Sequence, residues 1–220
     1  MGLFSSLFAT RKANENAVGF FMEREGPTEP VKFGFDFVMF ALESTKEDVK
    51  EITNDLAKIT GSEPCIINQK LLEHDLVVRL VLAASQSAAF FLYLIRKGIP
   101  KDVLEQVIAG IYAGFEEISK LFPESISSEI NDFSAMQFQI CLKSLDDEIR
   151  ESGGSLDGFT SGKTATLVAD RIAKECGIDE LFQLSNMGAM EKILFERHVA
   201  VSGIIYLLTV CPELKITYRS

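Results

Sequence analysis

Residues 76–95 read LVVRLVLAASQSAAFFLYLI, a run long enough to cross a lipid bilayer as a helix. Arg79 lies about one turn inside this run, and a polar Ser-Gln-Ser sequence at residues 85–87 interrupts its centre. Both features are costly in lipid but ordinary in the central helix of a helical bundle. We therefore interpret the run as the core helix of a soluble protein with no integral membrane span.

Composition and charge support a folded, acidic protein. The chain has 220 residues, of which 47% are apolar and 17 are phenylalanine, so it can build a packed core. Its 32 acidic residues outnumber 22 basic ones, giving a net charge of −10 that repels nucleic-acid phosphates and anionic lipids. We expect a single helical domain over residues 1–220, in the cytoplasm, with no nucleic-acid partner.

Cysteine and histidine spacing gives no sign of a metal or redox site. No two cysteines stand at metal-binding or redox spacing, and neither histidine belongs to a metal-binding Glu-x-x-His or His-Glu-x-x-His motif. The residues concerned are Cys65, Cys141, Cys176, Cys211, His74 and His198. We expect reduced thiols, no metal and no cofactor.

Apolar residues recurring every three to four positions predict an all-α fold. The predicted helices cover residues 44–60, 68–97, 101–122, 125–151, 163–176 and 187–211. The first begins at Ser44, where Glu47 completes a capping box, and Gly177 ends the fifth. We expect a bundle of six to eight helices built around the second and the last of these segments.

Alternating residues indicate a minor two-stranded β element. Residues 31–37 and 214–218 both alternate apolar with polar or small side chains, as half-buried strands do. The alternative is a short helix over residues 33–42 and a C-terminal tail without regular structure.

Two pairs of small residues predict a close helix contact. Ala84 and Ala88 on one predicted helix, and Gly110 and Gly114 on the next, each repeat at four-residue spacing. Because glycine disfavours helix interiors, such pairs suggest close backbone approach. We predict that the two helices form an antiparallel hairpin through residues 98–100.

Residues 161–164 read SGKT and resemble the end of a phosphate-binding loop. That loop requires glycine five positions before the Gly of Gly-Lys-Thr, where this chain has Asp157. Asp157 also replaces the second glycine of a serine-hydrolase elbow, so no catalytic residue is predicted here. Residues 152–163 are interpreted as a flexible connector, with Lys163 and Thr164 as a weak anion site at the next helix start.

Two lines of polar residues on the apolar helices are the better candidates for a binding site. At 100° per residue, the first line runs along the predicted helix over residues 68–97, and the second line runs along the predicted helix over residues 187–211. Each line is either a narrow exposed edge or part of a buried network in which the two lines face each other and bind a polar or anionic ligand. In the second case Arg79 pairs with Asp75 or Glu191, and His198 titrates near neutral pH. The lines comprise Asp75, Arg79, Gln86 and Tyr93, and Glu191, His198, Ser202 and Thr209.

The first twelve residues, MGLFSSLFATRK, fit the loose pattern for N-myristoylation at Gly2. They also form an amphipathic segment that ends in Arg11 and Lys12. The alternative is an N-terminal helix that packs on the core or on a partner.

The absence of a catalytic motif favours a non-enzymatic interaction protein. We expect helix-face contacts with another protein or with a second copy of this chain, because acidic helical surfaces commonly bind basic or amphipathic partners. The first alternative is a ligand binder or enzyme that uses the polar lines. The second is a peripheral membrane protein anchored by residues 1–12.

Overall fold

The computed structural model describes residues 29–60, 66–96, 98–151 and 162–178. This part of the chain is all-α, and within it there are six helices and no strand, as the periodicity predicts. The helices are α1 (Pro30–Thr60), α2 (Ile66–Glu73), α3 (Asp75–Arg96), α4 (Lys101–Ser119), α5 (Glu124–Glu151) and α6 (Gly162–Glu175).

The most apolar of these helices, α3, is the centre of the fold. Its residues Asp75–Ile95 have the length and composition of a membrane span, yet 94% of the most apolar window is buried inside the protein. α3 packs against α1, α5 and α6. α3 is therefore a core helix, as predicted from the polar residues Arg79 and Gln86 inside its apolar run.

Aromatic rings join the helices around α3. The ring of Phe37 on α1 stacks on Phe90 of α3, with centroids 3.8 Å apart. The ring centroid of Phe138 on α5 lies 6.1 Å from that of Phe91 on α3 and 5.9 Å from that of Tyr112 on α4. These rings fill part of the core between the helices.

The strand predicted at residues 31–37 is wrong, because these residues form the first turns of α1. The buried side chains Phe33, Phe37 and Val38 follow helical spacing, whereas Val31 is 42% exposed. Pro30 is tolerated at the first helical position, where its missing N–H leaves no internal bond unmade. Residues 33–42 are therefore helical, as in the alternative, but they belong to a 31-residue helix and not to a short one.

The predicted helix start at Ser44 is also wrong. Ser44 lies in the middle of α1, where its hydroxyl donates to the carbonyl of Ala41 at 2.9 Å. Thr45 bonds back to Leu42 in the same way, at 2.7 Å. Serine and threonine satisfy their hydroxyls inside a helix through such bonds, so a serine by itself does not mark a cap.

The predicted helix over residues 68–97 is two helices separated by a turn at His74. The carbonyl of His74 accepts the backbone N–H groups of Val77 and Val78, at 2.9 and 3.0 Å. The next two predicted helices are observed as α4 and α5 with small differences at their ends.

The end of α6 confirms the predicted glycine stop. Gly177 has φ +63°, and Ile178 donates to the carbonyl of Ala173 at 2.9 Å, which closes the last turn in a Schellman arrangement.

The glycines of α4 pack against α1, so the predicted contact with Ala84 and Ala88 is wrong. A Cβ added to Gly110 would overlap the carbonyl oxygen of Val31, and one added to Gly34 would overlap that of Val107. The glycines of the two helices thus allow the two backbones to touch.

Several predicted elements lie outside the described residues. They are the helix over 187–211, the strand at 214–218, the amphipathic segment 1–12 with Gly2, and residues 152–161 of the connector.

Candidate functional site

The polar line of α3 is buried, so its interpretation as an exposed edge is wrong. Arg79, Gln86 and Tyr93 are 8%, 7% and 5% exposed, and only Asp75 at the start of the helix reaches solvent appreciably. Among the described residues, the polar groups that Arg79 and Gln86 contact outside α3 belong to α1. A polar network therefore connects the two helices.

Arg79 is the buried cation of this network. Its Nη2 donates to the carbonyl oxygen of Leu42 on α1 at 2.9 Å, and its Nη1 lies 3.4 Å from Oδ2 of Asp75. Its Nε is buried and has no hydrogen-bond acceptor among the described residues. A buried guanidinium with an unbonded Nε–H and one long ion pair is incompletely compensated, so its Nε–H can still donate to an acceptor.

Gln86 makes the second polar connection between α1 and α3. Its Nε2 donates to Oδ2 of Asp48 at 3.2 Å, and its Oε1 lies 3.4 Å from Oγ of Ser44, whose proton is donated to the carbonyl of Ala41. The bond from Gln86 to Asp48 is therefore the stronger of these two contacts. This pair of contacts fixes the register of the two helices.

The predicted facing of the two polar lines stays a prediction, because the second line falls outside the part of the chain that the structure describes. The first line faces α1, and Glu191, His198 and Ser202 of the second line lie outside the described residues. Sequence analysis missed Asp48 and Ser44 as partners of Gln86, because they stand about forty positions away and carry no motif.

Lys163 and Thr164, the predicted anion site, already hold carboxylates of this chain. Glu148 of α5 accepts the backbone N–H of Lys163 at 2.6 Å and the hydroxyl of Thr164 at 2.6 Å, and Ser144 Oγ lies 2.8 Å from the same hydroxyl. The Lys163 ammonium group donates to Glu151, which raises the pKa of Lys163. The anion at this helix start is therefore Glu148 itself, which caps α6 from another helix.

The two cysteines that the structure describes have the environment of unreactive thiols. Both are buried and free, and burial raises the pKa of Cys141 to about 12 and that of Cys176 to about 11. The thiolate, the nucleophilic form, is therefore scarce at neutral pH. In the described ranges there is no group of three or more His, Cys, Asp or Glu side chains placed to hold a metal ion.

An exposed apolar strip on α5 is a feature that the sequence analysis missed. It consists of Ile126, Phe133, Met136 and Ile140, of which Ile126, Met136 and Ile140 are 37%, 44% and 37% exposed and Phe133 is half-buried. We call these four residues the α5 strip. Ile126, Phe133 and Ile140 recur every seven residues, which places them on one side of the helix. That spacing could have been read from the sequence.

Arg171 of α6 borders the α5 strip. Its guanidinium carbon lies 4.4 Å from the centre of the Phe133 ring, and its Nη2 pairs with Glu175 at 3.1 Å. This cation–π contact fixes the ring of Phe133 from the side of α6.

The described residues define an all-α protein with a buried polar network on α3 and an apolar strip on α5. Comparison of the chain with models of known protein families finds no match, and neither do comparisons with curated proteins and with solved structures.

Proposed function

We propose that this chain is a non-enzymatic, cytoplasmic interaction protein that binds another protein through the α5 strip. The observation that supports this proposal is the exposure of Met136 and Ile140 on the same side of α5 as Ile126 and Phe133. Exposed apolar side chains in a row, rather than scattered singly, are typical of contact surfaces. Methionine is also enriched at protein interfaces, because its flexible side chain adapts to a partner.

Photo-crosslinking from the α5 strip tests this function. A photoreactive amino acid in place of Met136 is expected to give one discrete adduct with another protein in native cells, whereas the same group at Gln106, exposed on α4, is expected to give none. The partner is then purified and its Kd measured. Met136→Lys is expected to weaken binding at least about tenfold, as for a central interface residue.

Gln106→Lys serves as the matched control, because it adds the same charge to an exposed position on another helix. Equal losses for both lysine variants would assign the effect to charge in general. A crosslink from position 136 to the protein's own chain would contradict the proposal outright.

A second candidate function is the binding of a small anion at Arg79. The observation that favours it is the buried Nε, to which the described part of the chain offers no acceptor. A carboxylate or phosphate oxygen would supply that acceptor and compensate the guanidinium charge.

Arg79→Met tests this second function. We expect the variant to retain its free energy of unfolding within about 1 kcal/mol, because a buried and poorly paired charge contributes little net stability. Millimolar succinate or phosphate is expected to raise the Tm of the unmodified protein by at least about 2 °C and that of Arg79→Met not at all. Equal Tm increases in both proteins, or none in either, would remove this candidate.

A further inference from the structure

We infer that the partner of the α5 strip presents an amphipathic helix edged with lysine or arginine. This inference rests on the proposed function and specifies the chemistry of the partner. It starts from the charges beside the strip. Glu129 and Asp132 are exposed on the side of α5 that carries the strip, and the first lysine or arginine after them on this helix is Lys143, beyond the end of the strip.

The acidic side chains beside the strip are available to a partner. In the part of the chain that the structure describes, Glu129 and Asp132 have neither an ion pair nor a hydrogen bond through their side chains. The nearby cations do not offset them. Arg171 pairs with Glu175, and Arg150 pairs with Asp146 at 2.6 Å. The exposed Lys143 stands eleven positions after Asp132, which is about 16 Å along the helix and too far for an ion pair. A partner's basic side chains would therefore meet uncompensated carboxylates.

The dimensions of the strip match a helical ligand. Ile140 stands fourteen positions after Ile126, which at a rise of 1.5 Å per residue is about 21 Å, or about four helical turns. Side chains repeating every seven residues on one helix fit a second helix whose apolar side chains repeat at i, i+3, i+4 and i+7.

Charge makes a second copy of this chain a poor occupant. Two copies of the strip would bring Glu129 and Asp132 towards their own equivalents, on molecules that each carry a net charge of −10. Like charges across an interface oppose association. The strip therefore fits a basic partner better than itself.

Two designed peptides test this inference. Both are 20-residue helices with leucine at i, i+3, i+4 and i+7 spacing, and the flanking positions carry lysine in one and glutamate in the other. The full-length protein is expected to bind the lysine peptide at least about tenfold more tightly, measured by fluorescence anisotropy. Raising the salt concentration from 0.05 to 0.5 M is expected to weaken that binding at least about fivefold.

Paired charge removals locate the binding. Glu129→Gln with Asp132→Asn is expected to weaken binding of the lysine peptide about fivefold or more, whereas Glu105→Gln with Glu116→Gln, on α4, is expected to change it less than about twofold. Equal losses for the two pairs, or equal binding of the two peptides, would overturn the inference. The inference would also be overturned if the peptide bound only after residues 1–12 were removed, because a segment of the protein itself would then occupy the strip. Crosslinking at Met136 does not depend on peptide charge. A crosslink to another protein without a preference for the lysine peptide would contradict only this inference, whereas the absence of a crosslink would contradict the proposed function.

Discussion

Replacing Gly110 by alanine is expected to destabilise the protein by about 3 kcal/mol, although helix propensity alone favours alanine by about 1 kcal/mol. The added Cβ would overlap the carbonyl oxygen of Val31 and lie 2.9 Å from the backbone nitrogen of Phe35. Both atoms belong to the backbone of α1, so no side chain can rotate away. The two helices would have to separate, and the buried contacts between them would loosen.

Urea unfolding followed by circular dichroism measures this effect. Ala109→Leu is the control, because it adds more bulk than Gly110→Ala at an exposed position of the same helix. It is expected to change the free energy of unfolding by less than about 0.5 kcal/mol. Gly114→Ala should fall between them, since its Cβ would meet the side chain of Val38 at 2.8 Å. If Gly110→Ala stabilises the protein, propensity dominates and the close approach of α1 and α4 is wrong.

Which surface Gly110 contacts could not be predicted from the sequence. Four-residue spacing of small side chains indicates that a helix approaches another closely, but it does not identify the second helix. Gly34 is the counterpart, and it stands in a stretch whose alternating phenylalanines are typical of a strand. In the structure α4 packs along this stretch, so a tertiary contact overrides the local signal.

The helices themselves were largely predictable, because helical periodicity is a local property. The 3.6-residue repeat located α4, α5 and α6 within a few residues, and Gly177 marked the end of α6. The predicted helix start at Ser44 was wrong because a serine hydroxyl can either accept from a following backbone N–H, as in a cap, or donate to a preceding carbonyl, as it does here.

The candidate sites were predictable only in part. The line formed by Arg79 and Gln86 follows from helix geometry, and its burial was one of the two interpretations. That α1 is the helix this line contacts could not be predicted, because Asp48 and Gln86 stand 38 positions apart in the sequence. Glu148 was missed for the same reason, since its role depends on how α5 and α6 pack.

Replacing Glu148 by alanine is expected to destabilise the protein by about 2–3 kcal/mol. Glu148 is 7% exposed, and its two carboxylate oxygens accept from the backbone N–H of Lys163 and from the hydroxyl of Thr164. Alanine would leave both donors without this acceptor and would remove the negative charge at the start of α6. The loss should exceed that of an ordinary surface cap, because the carboxylate belongs to a different helix and also holds α6 against α5.

Glu151→Ala is the matched control for Glu148→Ala. Glu151 lies one turn away on α5 and pairs with the same Lys163, but both side chains are more than half exposed. An exposed ion pair contributes little, so this variant should unfold at nearly the same urea concentration as the unmodified protein. Hydrogen exchange gives the local measurement: amides of α6 should lose protection in Glu148→Ala, while those of α4 keep theirs. Equal stability of the two variants would contradict this prediction. It would mean that packing alone holds α6 against α5, and that water replaces Glu148 as the acceptor for the N–H of Lys163 and the hydroxyl of Thr164.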